Sequence, residues 1–240
     1  MLKEIKEFYN KTRLSADLED LPEEKWPITF IKVFHKEYPR FPMIGLPEVK
    51  REGEFETLLA LRESCRNFSD TPMTLEELSK VLGSCRIIDQ QRDPERRTYP
   101  SGGARFPVEL YLLSFNISGL NNGVYHYNFK KNALDVLLEQ DLTPKRRDII
   151  SPYLENPAAT VVFTSVIARS EVKYGVRAYP YSLIEAGHMG QNIHLACSEI
   201  GLGSCSISGF VDETVRHLLD LTDSEIPIYS ISFGRKSRRL

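Results

Sequence analysis

The most constraining feature of this sequence is a continuous run, rich in β-branched residues and free of charge, from Ala158 to Ala168. Such a run is typical of a strand that is buried on both faces, at the centre of a sheet. A central strand needs other strands at its edges and helices over its surfaces. The sequence therefore predicts a sheet with helices packed around it.

Further patterns supply the other strands. Val108–Phe115 is a second apolar run, and a turn signal at Asn121–Gly123 follows it. Val124–Tyr127 and Ala133–Leu138 then complete a predicted meander. Ile226–Phe233 predicts a closing strand.

Capping signals locate the helices. Thr74 with Glu77, and Ser182 with Glu185, have the spacing of capping boxes, and the second begins the longest predicted helix, which ends at Gly201. Shorter helices are predicted over Phe55–Phe68, after Thr143–Pro144, and after a cap at Asp212. Because strands and helices interleave without βαβ regularity, the predicted class is α+β, with a mixed, mainly antiparallel sheet flanked by helices.

The first fifty residues differ from the rest. Residues 1–50 are polar and interrupted by prolines, which predicts an arm that wraps a core or a partner, whereas residues 51–240 form the predicted domain. The arm has one dense apolar patch, Trp26–Phe34, which would need a surface to dock on.

Charge and composition exclude several classes of protein. The 31 Lys and Arg residues against 33 Asp and Glu leave a net charge of -2, which does not favour a nucleic-acid-binding protein. No apolar run approaches the length of a membrane span, and the first residues have no signal-peptide core, so we expect a cytoplasmic protein without a membrane segment.

Metal and nucleotide motifs are weak. The four cysteines form no CxxC pair, so no metal site is predicted, and buried reduced thiols are the favoured interpretation. Gly201–Cys205 starts like a dinucleotide fingerprint but lacks the third glycine. Glu185, His188 and Asn192 share one helical face, where a hydrogen-bonded core histidine is favoured over a metal ligand.

Two motifs carry stronger signals. Arg62, Ser64 and Arg66 place two guanidinium groups and a hydroxyl at one end of an element, which suits a phosphate dianion. The alternative is a solvated helix end paired with Glu63 or Glu77. The small-residue loop at Tyr99–Pro107 would let backbone approach a flat ligand, although an ordinary tight turn would have the same composition.

Taken together, these motifs resemble the nitroreductase superfamily, and in particular its SagB-type dehydrogenase branch. The resemblance runs from about residue 55 to residue 235, with four motifs in the right order. The motifs are Arg62–Arg66 (RESCR), Tyr99–Tyr111 (YPSGGARFPVELY), Gly119–Tyr127 (GLNNGVYHY), and Glu185–Asn192 (EAGHMGQN) followed by Gly201–Gly203.

The resemblance implies a homodimer with an FMN in each of two interface pockets. By similarity, Arg62, Ser64 and Arg66 would bind the phosphate and ribityl chain, and Pro100, Ser101, Gly102 and Gly103 would line the isoalloxazine ring. The backbone amides of Ser208 and Gly209 would face the flavin N5 and O4 edge, where donors favour the reduced ring. Either Arg235 or Lys236 would close the phosphate site.

SagB-type azoline oxidases carry a Lys-Tyr pair, and Lys173-Tyr174 occupies the matching place. Free lysine and tyrosine side chains titrate near pH 10, so burial or a neighbouring charge such as Arg177 would have to tune the base. Adjacent side chains of a strand point to opposite faces, so the pair would converge only in a loop or turn, which Gly175 allows. An exposed lysine beside a core tyrosine is the alternative.

Three functional hypotheses follow. The first is an FMN-dependent dehydrogenase that converts thiazoline or oxazoline rings of a ribosomal peptide to azoles, with a cyclodehydratase and the precursor peptide as partners. In it, Lys173 takes the proton, Tyr174 assists, and electrons pass through FMN to oxygen. The second is an NAD(P)H-dependent nitroreductase or quinone reductase of the same fold. The third is a flavin-free scaffold subunit, against which Arg62, Ser64 and Ser101 argue.

Overall fold

The computed structural model describes residues 1–14, 32–50, 52–150 and 153–237. The described helices are α1 (Lys3–Thr12), α2 (Glu54–Leu61), α3 (Leu75–Gly83), α4 (Arg146–Ile149), α5 (Ala168–Tyr174), α6 (Ala178–Glu199) and α7 (Asp212–Leu218). The strands are β1 (Met73–Thr74), β2 (Ile87–Asp89), β3 (Arg96–Arg97), β4 (Val108–Ser114), β5 (Ile117–Ser118), β6 (Gly123–Asn128), β7 (Ala133–Glu139), β8 (Ala159–Val166), β9 (Leu202–Ile207) and β10 (Glu225–Arg235).

The predicted central strand is confirmed. A six-stranded sheet has the order β7-β6-β4-β8-β10-β9, and each of its neighbouring pairs is antiparallel. Every residue of β8 except the last is buried. A separate two-stranded sheet joins β1 and β5 in parallel, so the α+β class with a mixed, mainly antiparallel sheet holds.

Two apolar layers sandwich the main sheet because alternate strand residues face opposite sides. Val161 and Phe163 of β8 pack with Met189 of α6 in one cluster. Val162, between them in the chain, packs with Val215 of α7 in the other. The long helix α6 therefore lies on one face of the sheet, and α4 and α7 lie on the opposite face.

The capping box at Thr74 is present: the Thr74 hydroxyl accepts from Glu77 N at 3.2 Å, and Glu77 Oε2 accepts from Thr74 N at 2.8 Å. The predicted box at Ser182 is wrong. α6 already begins at Ala178, and the Ser182 hydroxyl, inside the helix, donates to the Ala178 carbonyl at 2.9 Å.

Two other helix boundaries differ from the prediction. The helix predicted over Phe55–Phe68 ends at Leu61, and the following segment is extended because it pairs with other parts of the chain. Asp212 is the first helical residue of α7 and not its cap. Its carboxylate instead accepts from Leu14 N at 2.9 Å.

The first fourteen residues pack on the main body. Ile5 and Tyr9 of α1 lie against Ile167, Ala178 and Ile226. Residues 32–50 are exposed along their whole length. Most of the apolar patch at Trp26–Phe34 lies outside the described residues, and the division of the chain at residue 50 stays a prediction.

No disulfide joins the four cysteines, all of which the structure describes: Cys85, Cys197 and Cys205 are buried as expected, whereas Cys65 is half-buried. None of the described helices combines the length and the apolar character that crossing a membrane requires.

Candidate active site

Arg62, Ser64 and Arg66 lie on an extended segment that runs beside β9. Ser64 forms a parallel bridge with Ser204, and the Cys65 amide donates to the Ser204 carbonyl at 2.9 Å. Alternate residues of an extended chain point to the same side, so the two guanidinium groups and the hydroxyl share one side of this segment. Ser64 and Arg66 are exposed and Arg62 is half-buried, which leaves the group open to a ligand.

The two basic residues at the end of β10 have different surroundings. The Arg235 guanidinium donates to the Pro72 carbonyl and pairs with both oxygens of Glu77, each contact being 3.0 Å long. Lys236 instead lies at the extended segment, where its Nζ donates to Glu63 Oε1 at 3.0 Å. Of the two predicted phosphate ligands, Lys236 is therefore the one that contacts the segment carrying Arg62–Arg66, at Glu63.

We define Arg62, Ser64, Arg66 and Lys236 as the cationic cluster. The segments that carry Cys65, Gly203 and Lys236 lie very close to one another beneath it. A Cβ atom at Gly203 would lie 2.6 Å from Cys65 Sγ and 3.1 Å from Lys236 Cγ. Both distances are shorter than ordinary contacts, so a side chain at position 203 would push apart the segments that carry the cations.

The predicted glycine loop forms a short turn at Gly102–Ala104, and both glycines are exposed. Gly103 adopts a φ of 62°, in the left-handed region that favours glycine. A Cβ atom there would overlap the Tyr174 hydroxyl and would lie 2.9 Å from Lys173 Nζ. The loop therefore supplies an exposed backbone surface with these two side chains directly against it.

Lys173 and Tyr174 converge, although not in the loop or turn that the sequence suggested. They are the last two residues of α5, and both reach Gly103 from there. Lys173 Nζ lies 5.3 Å from the centre of the Tyr174 ring, which in turn contacts the Tyr181 ring at 5.1 Å. Lys173 is exposed, so this chain by itself does not form the apolar pocket expected around it.

A buried histidine, which the sequence did not single out, supports the cationic cluster. His194 Nδ1 lies 2.7 Å from Ser204 Oγ, and Nε2 lies 2.6 Å from Ser206 Oγ. Burial, helped by the charge of Arg62, lowers the pKa of His194 to about 4, so the ring is neutral at pH 7. The prediction of a core histidine at His188 is wrong, because that residue is exposed.

A buried carboxyl lies on the same helix as His194, close to the glycine loop. Glu185 is 1% exposed, and burial raises its pKa to about 7. The sequence placed Glu185 on a shared helical face, but nothing in its spacing indicated a contact with Ser101, which lies 84 positions earlier in the chain.

The cationic cluster and the glycine loop lie at different places along α6. The loop meets the helix at Glu185 through Ser101, whereas the cluster meets it at His194 through Ser204. These helical positions are nine residues apart, or about 14 Å at 1.5 Å per residue. In one chain, therefore, the glycine loop and the cationic cluster contact this helix about two and a half turns apart.

Ser208 and Gly209 follow the carboxyl end of β9 and are exposed. Within the described part of the chain, no group of three or more histidine, cysteine, aspartate or glutamate side chains could hold a metal ion.

Residues 59–235 match the nitroreductase family. The chain belongs to this family. It is therefore an oxidoreductase, and the family match supports the use of a flavin cofactor.

Individual relatives agree with this family. A putative nitroreductase of Methanocaldococcus jannaschii is 28% identical over 195 residues, which are 80% of this chain and 96% of the relative. The microcin B17-processing protein McbC of Escherichia coli is 31% identical over 175 residues, 70% of this chain, and the match spans 64% of McbC.

The fold has a solved counterpart in the structure of the E. coli microcin synthetase McbBCD complex with truncated pro-MccB17 bound. The TM-score is 0.79 at 23% sequence identity, and the superposition covers 99% of this chain and 95% of the other. At this level of identity the likeness concerns the fold.

Proposed function

We propose that the protein is an FMN-dependent dehydrogenase of the SagB type, which oxidises thiazoline or oxazoline rings of a ribosomally made peptide to azoles. The observation that carries the proposal is the meeting of Lys173 Nζ and Tyr174 Oη at Gly103. An amine and a phenol directed at a side-chain-free surface form a site for proton transfer beside a flat ring. The similarity to McbC, named for processing microcin B17, favours a peptide substrate.

The residues present fit FMN. The cationic cluster offers guanidinium, ammonium and hydroxyl donors to a terminal phosphate, and the exposed backbone at Gly102 and Gly103 offers a flat surface to an aromatic ring. When bound, FMN would supply the hydride acceptor.

The proton, in contrast, is removed by the protein's own residues. Converting an azoline to an azole removes one proton and one hydride from two ring carbons. We assign proton removal to Lys173 Nζ and the orientation of the ring to the Tyr174 hydroxyl. The neighbouring Tyr181 ring holds the phenol in place through its edge-to-face contact. General-base catalysis of this kind contributes roughly 10²- to 10⁴-fold in rate.

The site would be completed by a second copy of the chain. Apolar side chains are exposed on α2, where Phe55 is 59% exposed and Leu61 53%, and on α6, where Ile184 is 56% exposed. Exposed apolar surface of this extent favours burial in an interface. A homodimer would also enclose Lys173 and bring the cationic cluster of one copy to the glycine loop of the other. A cyclodehydratase and the precursor peptide are the further partners that this function requires.

The experiment that tests this function supplies the FMN-loaded protein with a thiazoline-containing peptide in air and follows the loss of two hydrogens by mass spectrometry. We expect conversion by the wild type. Lys173→Ala should keep FMN and lose at least about 100-fold in rate, because the base is removed. Val172→Ala is the matched control, since Val172 is the adjacent residue and 93% exposed. Full oxidation by Lys173→Ala would refute the assigned base.

A second candidate is an NAD(P)H-dependent nitroreductase or quinone reductase. It is favoured by the match along 96% of a relative that is named a putative nitroreductase. Rapid bleaching of the yellow protein by NADPH, together with no conversion of the azoline peptide, would select this candidate.

A further inference from the structure

The glycine loop and helix α5 lie at the same end of two neighbouring strands. The loop leads into β4, β8 leads into α5, and the two strands pair from Val108 and Ser165 onward. Just beyond the strands, the Val166 amide donates to the Pro107 carbonyl at 2.8 Å. The loop and the helix that carries the lysine–tyrosine pair are therefore neighbours by topology, and the contacts between them set their relative position.

Arg169, the second residue of α5, makes these contacts. Its Nη1 donates to the Phe106 carbonyl at 3.0 Å and forms an ion pair with Glu109 Oε1. In return, Arg105 Nε donates to the Arg169 carbonyl at 3.2 Å. One residue of the helix is thus bound both to the end of the glycine loop and to the beginning of β4.

The backbone at this end of the loop needs such contacts. Ala104 has a φ of 51° and Phe106 a φ of 46°, in the left-handed region that residues with side chains rarely adopt. Each costs on the order of 1 kcal/mol or more unless its surroundings compensate. The Ser101 hydroxyl accepts from the Phe106 amide at 2.9 Å, and Arg169 binds the carbonyl of the same residue. Both polar backbone groups of Phe106 are therefore held by side chains.

The same helix meets the loop a second time at its other end. Arg169 and Lys173 are four residues apart on α5, so their side chains lie on one face of the helix. Arg169 contacts Phe106 at the start of this face, and Lys173 lies against Gly103 at its end. Because α5 has only seven residues, these two points fix both its position and its direction.

Glu109 is held ready for Arg169 by a third side chain. His126 Nε2 lies 3.0 Å from Glu109 Oε2, the oxygen that Arg169 leaves free, and both His126 and Glu109 are half-buried. Burial alone would raise the pKa of Glu109, but the bond from His126 and the charge of Arg169 outweigh it and lower the pKa. The carboxylate is therefore ionised at neutral pH and fixes the guanidinium beside Phe106.

We propose that Arg169 is a positioning residue, which sets the distance of Lys173 and Tyr174 from the Gly103 surface by tying the start of α5 to Phe106 and Glu109. The inference deepens the proposed function and rests on it for the role of this surface. Arg169 does not touch the reacting atoms, because its contacts are at the far end of the loop from Gly103.

Nuclear magnetic resonance of the FMN-free full chain tests the position directly. In the wild type we expect a nuclear Overhauser contact between the Gly103 α-protons and the Tyr174 ring, which lie against each other. Arg169→Ala should weaken this contact several-fold, because the effect falls steeply with distance. Arg147→Ala is the matched control, since it removes an exposed arginine on α4, at the opposite face of the sheet, and it should leave the contact at full strength.

Kinetics of the FMN-loaded protein with a thiazoline peptide give a second readout. Arg169→Ala should lower kcat roughly 10- to 100-fold and change KM less than about twofold, since a misplaced base impairs the chemical step and not binding. In a Lys173→Ala background the same substitution should change kcat less than about twofold, because no base is left to position. Arg169→Lys keeps the charge but lacks the guanidinium fork, so both readouts should be intermediate.

An undiminished contact between Gly103 and Tyr174 in Arg169→Ala, or an equal loss of kcat with and without Lys173, would overturn the inference. If Arg169→Ala does not fold, Arg169→Lys decides, and a wild-type contact with wild-type kcat would overturn it. The resonance experiment needs neither FMN nor a peptide. A wild-type protein that never oxidises the azoline would refute the proposed function, whereas the resonance result would still decide the role of Arg169.

Discussion

At the scale of single residues, we expect the two adjacent cations at the end of β10 to have different roles: Arg235 stabilises the fold and Lys236 binds FMN. Arg235 is bound to Glu77 and to the Pro72 carbonyl, so Arg235→Ala should lower the free energy of unfolding by about 1 kcal/mol and change FMN affinity little. Lys236→Ala should weaken FMN binding about tenfold with little effect on stability. Urea unfolding and FMN titration of both variants measure the two effects, and weaker FMN binding by Arg235→Ala alone would reverse the assignment.

The buried Glu185 carboxyl makes stability depend on pH. Its pKa is about 7 in the folded protein against 4.5 for the free side chain, so the folded state binds the proton more tightly. The stabilisation is complete below pH 4.5 and is lost as the pH rises to 7 and beyond, which amounts to about 3 kcal/mol.

Glu185→Gln should not lose stability in this way as the pH rises, because its side chain does not ionise. We expect the variant to gain about 2 to 3 kcal/mol relative to the wild type between pH 5 and pH 8, because groups common to both proteins cancel in the comparison. Urea unfolding at the two pH values measures the difference. A constant difference between the two proteins would show that the carboxyl has an ordinary pKa in the folded state.

The sequence singles out residues by their chemistry, and it misses those whose importance lies in contacts made in the fold. Arg62, Ser64, Gly103 and Lys173 stand in motifs whose residue types suggest a role. His194 contacts Ser204 and Ser206, both on β9, and no local pattern of the sequence contains those contacts.

At the scale of elements, the capping box of α3 is a local device with a measurable contribution. Thr74→Ala removes the acceptor for the Glu77 amide and should cost about 1 kcal/mol of stability. Ser79→Ala, an exposed position on the same helix, is the matched control and should change stability by only a few tenths of that amount. Equal stability of the two variants in urea would show that the cap contributes nothing.

The comparison of Thr74 with Ser182 shows what local spacing can predict. Both have glutamate three residues later, but only Thr74 starts a helix, because α6 extends four residues further back from Ser182. Likewise, no local sequence signal marks the end of α2 at Leu61. The next segment leaves the helix because Ser64 pairs with β9, a tertiary contact that outweighs the helical propensity of the sequence.

At the scale of the whole molecule, the sheet was predictable from hydrophobicity. The apolar run at Ala158–Ala168 marks the strand that the sheet buries most deeply, and its position between β4 and β10 follows from that burial. The arrangement of the two half-sites was not predictable in this way. It depends on how α6 crosses the sheet, which places the glycine loop and the cationic cluster at helical positions nine residues apart.

The central proposal is that the cationic cluster of one chain and the glycine loop of another enclose the same FMN. Hybrid dimers test it most directly. One copy carries Arg62→Ala with Arg66→Ala, the other carries Gly103→Val, and the hybrid is isolated with two affinity tags. Native mass spectrometry then counts the bound FMN.

If the two half-sites come from different copies, one pocket of the hybrid is intact and the other has both defects. The account predicts one FMN per hybrid dimer, two per wild-type dimer, and none in the dimers of either variant alone. Hybrids without FMN, or a wild-type protein that binds FMN as a single chain, would contradict it.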